Sequence, residues 1–557
     1  MSEKSEIVDL LESIASILEF KGENPFKISA FRNAGNALRR YEGDYEALAA
    51  EGKLNEIKGI GKETGRVITE FIRTGDSTLY KEIITGIPPG VLDMFSIRGI
   101  GPKKISVLYN ELKFESVNGL AEACRKGELA KVKGFGEKTQ AKLLEEISKM
   151  EYNRQFVLMH QAERLSDKVR DILKSSGFFD EVSVSGEIRR NMEVVKELKF
   201  VVFCAGISET VAKTISLFVN AISEGEKIVV RDFSIPVYIH FSESQSSFVK
   251  QLFLTTGSEE FLKNIKATEV PEKLEEEKEI FSHIKMEFVA PEMREKEYFD
   301  ITAKELRKSS DLEQEKLNGL LHFHTSASDG NNSLEEMAGY GITKGYSYFA
   351  VCDHSKNAAY ANGLNEERIL KQKELTRAVS EKLKTKVYQG IECDILTDGA
   401  LDFSDDFLTV FDFIVASVHS QFNLSENDMT ARIIRAVENP FTDAIGHPTG
   451  RLLLARDGYK VNIKKIIDAC AANSVAIEIN ANPHRLDLDW RNVFYAREKG
   501  AFFTINADAH SLSDIDLTRY GLAVARKAGL QSSEVINCFS NEEFYKFLNR
   551  KVKRIYK

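Results

Sequence analysis

From Leu317 onward the chain repeats one design: four to six apolar residues, mostly β-branched or aromatic, followed by a histidine or a carboxylate. The pieces are LLHFHTSASDG (320–330), FAVCDHSKN (349–357), GIECDILTDG (390–399), FIVASVHS (413–420), DAIGHPTGRLL (443–453), AIEINANPHRLD (476–487) and FFTINADAH (502–510). Amphipathic segments such as SLEEMAGYGITKGY (333–346) and NIKKIIDACAANS (462–474) lie between them. Apolar strands alternating with helices predict an α/β barrel. In such barrels the reactive side chains stand at the C-terminal ends of the strands, so groups distant in sequence converge on one mouth.

Seven of the ten histidines fall after residue 320. His322-x-His324 on an extended strand points both imidazoles to one face, because side chains alternate with period two; the same holds for Asp508 and His510. Imidazole and carboxylate without thiolate suit zinc, manganese or iron. A lone strand-end histidine is more often structural, but His322, His324, Asp329, His354, Glu392, His419, His447, Asp508 and His510 occur in succession at such ends and read as a multinuclear metal site. The arrangement resembles the PHP (polymerase and histidinol phosphatase) domain, a distorted (β/α)7 barrel, over residues 318–557. That resemblance implies two or three divalent ions. One would be held by His322, His324, Glu392 and Asp508, a second by Asp329, His354 and His510, and a third by Glu392, His419 and His447, with Glu392 bridging. It also implies phosphoester hydrolysis by metal-activated water, with Glu392, Asp508 and His354 as the catalytic set. Asp353 is expected to orient an imidazole or to enter a buried salt bridge. Arg451, Asn480 and Arg485 are candidate phosphate or substrate contacts, and His484, which matches no metal position, is expected on the surface.

The first 150 residues read as helices and contain a threefold repeat: LNEIKGIGKETGRVITEFI (54–72), MFSIRGIGPKKISVLYNEL (94–112) and LAKVKGFGEKTQAKLLEEI (129–147). In each, Gly-x-Gly leads into an amphipathic helix whose free N–H groups and dipole make an anion site. The expected backbone-phosphate contacts are Gly59, Gly61 and Lys62, then Gly99, Gly101 and Lys103, then Gly134, Gly136 and Lys138. These copies resemble helix-hairpin-helix motifs, which grip DNA without reading its sequence, and GENPFKISAFRNAGNAL (22–38) resembles the opening of the small N-terminal domain of family X DNA polymerases. That family's Schiff-base lysine aligns with Val67, beside Arg66, which argues against deoxyribose-phosphate lyase chemistry.

Between them, VSVSGEIRRNMEVVKELKFVVFC (182–204) resembles the opening of a nucleotidyltransferase palm, and LFLTTGSEEF (252–261) resembles the family's Tyr-Phe-Thr-Gly-Ser segment. Two-metal phosphoryl transfer there needs three convergent carboxylates. Register from Arg189-Arg190 puts Glu197 and Lys199 at the Asp-x-Asp positions and Pro236 at the third, while Glu187 replaces the serine that faces the triphosphate, and Leu254-Thr255 the Tyr-Phe pair. The stretch after 265 that would form a thumb is short and acidic.

The expected organisation is a multidomain α/β chain. Residues 1–80 form a small helical domain with the first hairpin, 81–152 a fingers-like helix-hairpin-helix region, 153–305 a degenerate mixed α+β palm and thumb, 306–317 a linker and 318–557 the PHP barrel. The order matches the bacterial and archaeal family X polymerases called PolX. The resemblance implies a DNA-repair 3′→5′ exonuclease, and the carboxylates missing at Lys199 and Pro236 leave the polymerase half as an expected DNA-holding scaffold. Three other readings stay open: a gap-filling polymerase with residual activity, a phosphomonoesterase (3′-phosphatase or histidinol-phosphatase-like), and a non-catalytic DNA-binding scaffold. The expected partner is DNA at 3′ ends, gapped or single-stranded, bound by a monomer.

Net charge is −9, with the first 150 residues balanced at 23 acidic and 23 basic, so charge alone selects no partner. The beginning, MSEKSEIVDLLESIASILEF, lacks the basic and apolar regions of a signal peptide, and no apolar run is long enough to span a membrane. Six scattered cysteines without a CxxC read as reduced thiols, so the expected location is cytoplasmic.

Overall fold

Apolar residues at helical spacing make the first unit all-helical among its described residues. The computed structural model describes residues 3–555 except 42, 226, 268, 269, 272, 302 and 303. Two compact units result, Met1–Gln155 and Phe156–Lys557.

In the first unit Asn24 caps the helix Pro25–Arg40, accepting from Phe26 N at 2.9 Å, with proline at the first helical position, where its missing N–H costs nothing. That helix packs on Glu3–Phe20, burying Leu11, Ile14, Phe31 and Leu38 with Val67 and Ile68. The first and third repeats open on a single 3-10 turn (Leu54–Glu56, Leu129–Lys131), and the second follows the short helix Pro89–Met94. The helices that come next are Lys62–Thr74, Pro102–Ser106 with a π turn over Val107–Glu111, and Glu137–Asn153. Ile60, Ile100 and Phe135, between the two glycines of each repeat, anchor these turns in their cores.

The second unit begins with β1 (Val157–Leu158), β2 (Glu181–Ser185), β3 (Val194–Val195), β4 (Leu198–Phe203), β5 (Ala221–Glu224), β6 (Lys227–Val230) and β7 (Val237–Ser242). β1 pairs with β3, and the other five form a sheet in the order β2-β4-β7-β6-β5, with β4 and β7 parallel. Buried ion pairs tie this part of the chain to the rest of the second unit. Arg190 Nε donates to Glu295 at 2.7 Å, and Lys527 Nζ donates to the same carboxylate at 2.9 Å and to the Arg190 carbonyl at 2.9 Å. Glu193 accepts from Trp490 Nε1 at 3.1 Å and from Arg491 at 2.7 Å.

The barrel strands are β8 (Gly319–Phe323), β9 (Tyr348–Val351), β10 (Lys386–Asp394), β11 (Phe413–Ser417), β12 (Ala444–Ile445), β13 (Ala476–Asn480) and β14 (Phe503–Asn506). They are parallel and ordered by sequence. β8 returns to the segment after β14 through a parallel Phe323–Ala509 bridge, with His324 N donating to Ala509 O at 2.8 Å. This nearly closed ring is a distorted (β/α)7 barrel. Phe544, Phe547 and Leu548 of the helix Asn541–Ile555 pack with Leu321, Tyr348 and Tyr388, and Phe544 stacks on Tyr348 at 5.0 Å. Those residues come from the N-terminal halves of their strands, so the open mouth is at the other end.

Candidate metal centre

All nine predicted ligands meet at that mouth. His322 and His324 lie on and just past β8, Glu392 within β10, and His354, His419, His447, Asp508 and His510 in the turns after β9, β11, β12 and β14. His447 and Asp508 hold positive φ (25° and 54°), a strain of about 1–3 kcal/mol each that concentrates where geometry serves a site. Exposure runs from 0% for the side chains of His322 and His324 to 32% for Asp329 and 34% for His510, which gives the site a floor and a rim.

Ligand-type atoms cluster within 4.8 Å of one another in three groups: His322, His324, Glu392 and Asp508; His324, Asp329, His354 and His510; and His354, Glu392 and His419. The first matches the expected set. The second adds His324, and the third closes on His354, with His447 held against Glu392 Oε1 at 3.1 Å. Glu392 is central: its oxygens lie 3.7 Å from His322 Nε2, 3.6 Å from His324 Nε2 and 3.3 Å from His419 Nε2. Asp329 Oδ1 lies 3.6 Å from His354 and 3.4 Å from His510.

The donor set fits divalent cations on a structural criterion. His322 Nε2, His324 Nδ1, His354 Nδ1 and Glu392 Oε2 are buried without a hydrogen bond, although the last two lie only 2.9 Å apart. Each such atom costs about 1–3 kcal/mol. Several of them converging on one space is what a cation would relieve.

Electrostatics agree. Burial opposes the charged form of Glu392, yet His419, His354 and His322 hold its carboxyl well below the usual range. Burial likewise opposes ionisation of Asp508, and His322 and His324 overcome it. His324 is pushed down to about 3 by burial and by His510 and His354, leaving a neutral imidazole with a free lone pair. Against burial, Glu392 and Asp394 lift His419 to about 10, and Asp329 and Asp508 lift His510 to about 9.

Two carboxylates that sequence reasoning missed orient these rings. Glu478 Oε1 is hydrogen-bonded to His322 Nδ1 at 2.7 Å, and Asp394 Oδ1 to His419 Nδ1 at 2.6 Å, so each ring turns its Nε2 toward Glu392. Both stand within two residues of a candidate in the same motifs, and period-two alternation was the available signal for them. Among the described residues Asp353 orients no imidazole and makes no salt bridge. It accepts from Thr325 N and Oγ1 at 2.7 Å each, from Ser328 and from Gln372, holding the loop that carries Asp329.

The substrate-contact candidates separate. Arg451 is turned away, donating to the Arg485 carbonyl at 2.9 Å, to Leu486 O and to Asp489, so its guanidinium braces the 485–489 loop. Asn480 is buried and donates to Asp508 Oδ2 at 3.2 Å and Glu478 Oε2 at 3.3 Å, and so positions a candidate ligand. Arg485 is half-buried, and its side chain has no hydrogen bond or ion pair among the described residues. His484 is not on the surface: it is half-buried, with its ring 5.2 Å from that of His160.

In the palm sheet, Lys199 pairs with Tyr238, and Leu198 N donates to Pro236 O at 3.0 Å, so Glu197, Lys199 and Pro236 share one region. Lys199 Nζ binds Glu197 at 2.7 Å, and its chain lies against Gly186. Glu187 accepts from Lys196 N at 2.6 Å, in the turn between β3 and β4. In the first unit, Gly59, Gly99 and Gly134 hold φ of 107°, 82° and 93°, while Gly61, Gly101 and Gly136 cap the next helices. Lys62, Lys103 and Lys138 are exposed; Val67 is buried and Arg66 exposed.

Family models match in three places: a helix-hairpin-helix domain over residues 2–77, a SAM-like helix-hairpin-helix tandem over 91–149 and a PHP domain over 321–482. The chain is 33% identical over 577 aligned positions to the DNA polymerase/3′-5′ exonuclease PolX of Bacillus subtilis (strain 168), covering 98% of this chain and 99% of that one. Probable phosphatases of Thermoanaerobacter sp. (strain X514) and Acetivibrio thermocellus match at 27% and 26% identity, over 39% and 42% of this chain and 88% and 96% of theirs. Hairpins, palm and PHP barrel in this order, matched almost end to end by such a relative, place the chain in the PolX family.

Proposed function

We propose that the chain is a metal-dependent DNA 3′→5′ exonuclease of the PolX family that acts in DNA repair in the cytoplasm, and that it no longer polymerises. The carrying observation is a contrast within one chain: the barrel mouth gathers unpartnered imidazole and carboxylate atoms, whereas the palm offers Lys199 and Pro236. Two or three bound divalent ions (manganese, zinc or iron) would supply an activated hydrolytic water and neutralise phosphate charge.

The chain's own residues set up that chemistry. Glu392 stays anionic at the centre of the site, and Asp508 is held by His324 at 2.9 Å and by Asn480. His354 shares both Asp329 and Glu392. Arg485, with no competing partner among the described residues, is the candidate cation for the phosphate. The hairpin glycines and Lys62, Lys103 and Lys138 would hold the DNA backbone, the five-part domain division serving to bring a gapped or single-stranded 3′ end to a monomeric barrel.

The test uses a 5′-labelled strand, alone and in a gapped duplex, with manganese and either wild-type protein or His324→Ala. Stepwise shortening that the variant loses supports the reading; no shortening by either protein rejects it. The match to probable phosphatases favours a second activity at the same site, removal of a 3′-phosphate, which the same strands ending in phosphate would reveal.

A further inference from the structure

Ten large apolar or aromatic side chains are exposed among the described residues, and Tyr360, 66% exposed, is the one whose ring neighbours candidate ligands. Its centroid lies 6.1 Å from that of His354 and 6.3 Å from that of His419. Leaving a ring in water forgoes the burial that ordinarily stabilises an aromatic residue.

The turn that carries the ring, Ala359–Ala361, is pinned on every side. Asn357 N donates to Asp402 at 2.7 Å, and the Asn357 amide donates to Asp394 at 2.6 Å. Leu364 N donates to His354 O at 2.8 Å, and Asn362 Nδ2 to Ser328 O at 3.1 Å. A Cβ at Gly363 would fall 1.9 Å from Ser355 O, so the loop closes as tightly as glycine allows. These anchors are the segments that carry His354, Glu392 and Asp329. The ring is thus held in register with the ligands, and exposed.

We propose that Tyr360 is a stacking platform for the base of the 3′-terminal nucleotide, and that it lets the centre prefer nucleic-acid ends over small phosphomonoesters. The proposal rests on the phosphodiesterase reading. A scissile phosphate among the ligands leaves the terminal base one sugar away, within reach of a ring flanking His354 and His419. Every base has a π face, so the contact tolerates any sequence. A small phosphomonoester has no base to place there.

The test keeps the full chain and compares wild type, Tyr360→Phe and Tyr360→Ala. With calcium in place of manganese, a single strand carrying 2-aminopurine at its 3′ end should be quenched by wild type and Tyr360→Phe but not by Tyr360→Ala. With manganese, Tyr360→Ala should raise KM for single strands roughly 5- to 150-fold, the range of one base–aromatic stack. Wild type should suffer the same loss on a strand ending in an abasic residue, and Tyr360→Ala no further loss. Quenching unchanged in Tyr360→Ala, or equal losses for that variant on both strands, overturns the proposal. If wild type quenches through Tyr360 yet never shortens DNA, the phosphodiesterase reading fails and the stacking site stands. Shortening that needs His324 while quenching ignores Tyr360 defeats the stacking site alone.

Discussion

Glu478 Oε1 sits 2.7 Å from His322 Nδ1, and Oε2 of the same buried carboxylate accepts the His447 backbone N–H at 2.7 Å. One side chain thus sets the orientation of one candidate ligand and the backbone of another. Glu478→Gln keeps the shape but weakens both contacts, and should lower divalent-ion affinity about 10- to 100-fold, as loss of such outer partners does. Calorimetric titration of the metal-free protein with manganese measures it; unchanged affinity would show that His322 needs no such partner.

Loading the centre should release protons. His419 and His510 keep theirs up to about 10 and about 9, and an imidazolium cannot ligate, so below those values affinity should rise as pH rises, by about tenfold per unit for each proton displaced. Titrations in buffers of different ionisation enthalpy count the protons. Asp394→Asn, by removing the partner 2.6 Å from His419, should lower that count.

Wild-type protein should not extend a gapped primer with deoxynucleotides and manganese. Lys199 brings a cation, already bound to Glu197 at 2.7 Å, to the place where two metals would need anions. Lys199→Asp alone should not restore extension, because Pro236 still supplies no carboxylate. Extension by wild type in a gel assay would falsify this account of the palm.

Acid should loosen the second unit. Burial pushes His160 down to about 4, with His484, Arg164 and Arg519 adding to it, and burial with Lys199 and Lys227 does the same to His240. Both folded values lie below that of an unfolded histidine. Their stabilisation is therefore complete above about pH 6.5 and is lost as pH falls through about 4. Urea midpoints at pH 7, 5.5 and 4.5 track the decline, and His160→Asn should flatten part of it.

Much of the centre is legible in the sequence because period two and strand-end placement are local properties. His322-x-His324 shares a face as expected, and apolar runs alternating with amphipathic segments made parallel strands and helices. Asp508, by contrast, lies past the end of β14 with φ of 54°, so the turn and not strand alternation brings it beside His510. The same locality shows where the palm departs from the family pattern, at Lys199 and Pro236. What it could not carry were partners chosen across the barrel. Arg451 looks like a phosphate contact until the 485–489 loop takes its guanidinium, and Asp353 looks like an imidazole's partner until Thr325, Ser328 and Gln372 occupy it. His484 reads as surface until His160 comes to lie beside it.

The sequence by itself determined which residue types stand at the strand ends, and with them a donor set of imidazole and carboxylate without thiolate. Only the tertiary structure decided that Glu478 and Asp394 aim the rings, that Asn480 steadies Asp508, and that Tyr360 stands in water beside the ligands. The physical reason is that a hydrogen bond or an exposed face depends on groups dozens of residues away, which only the closing of the barrel brings within reach.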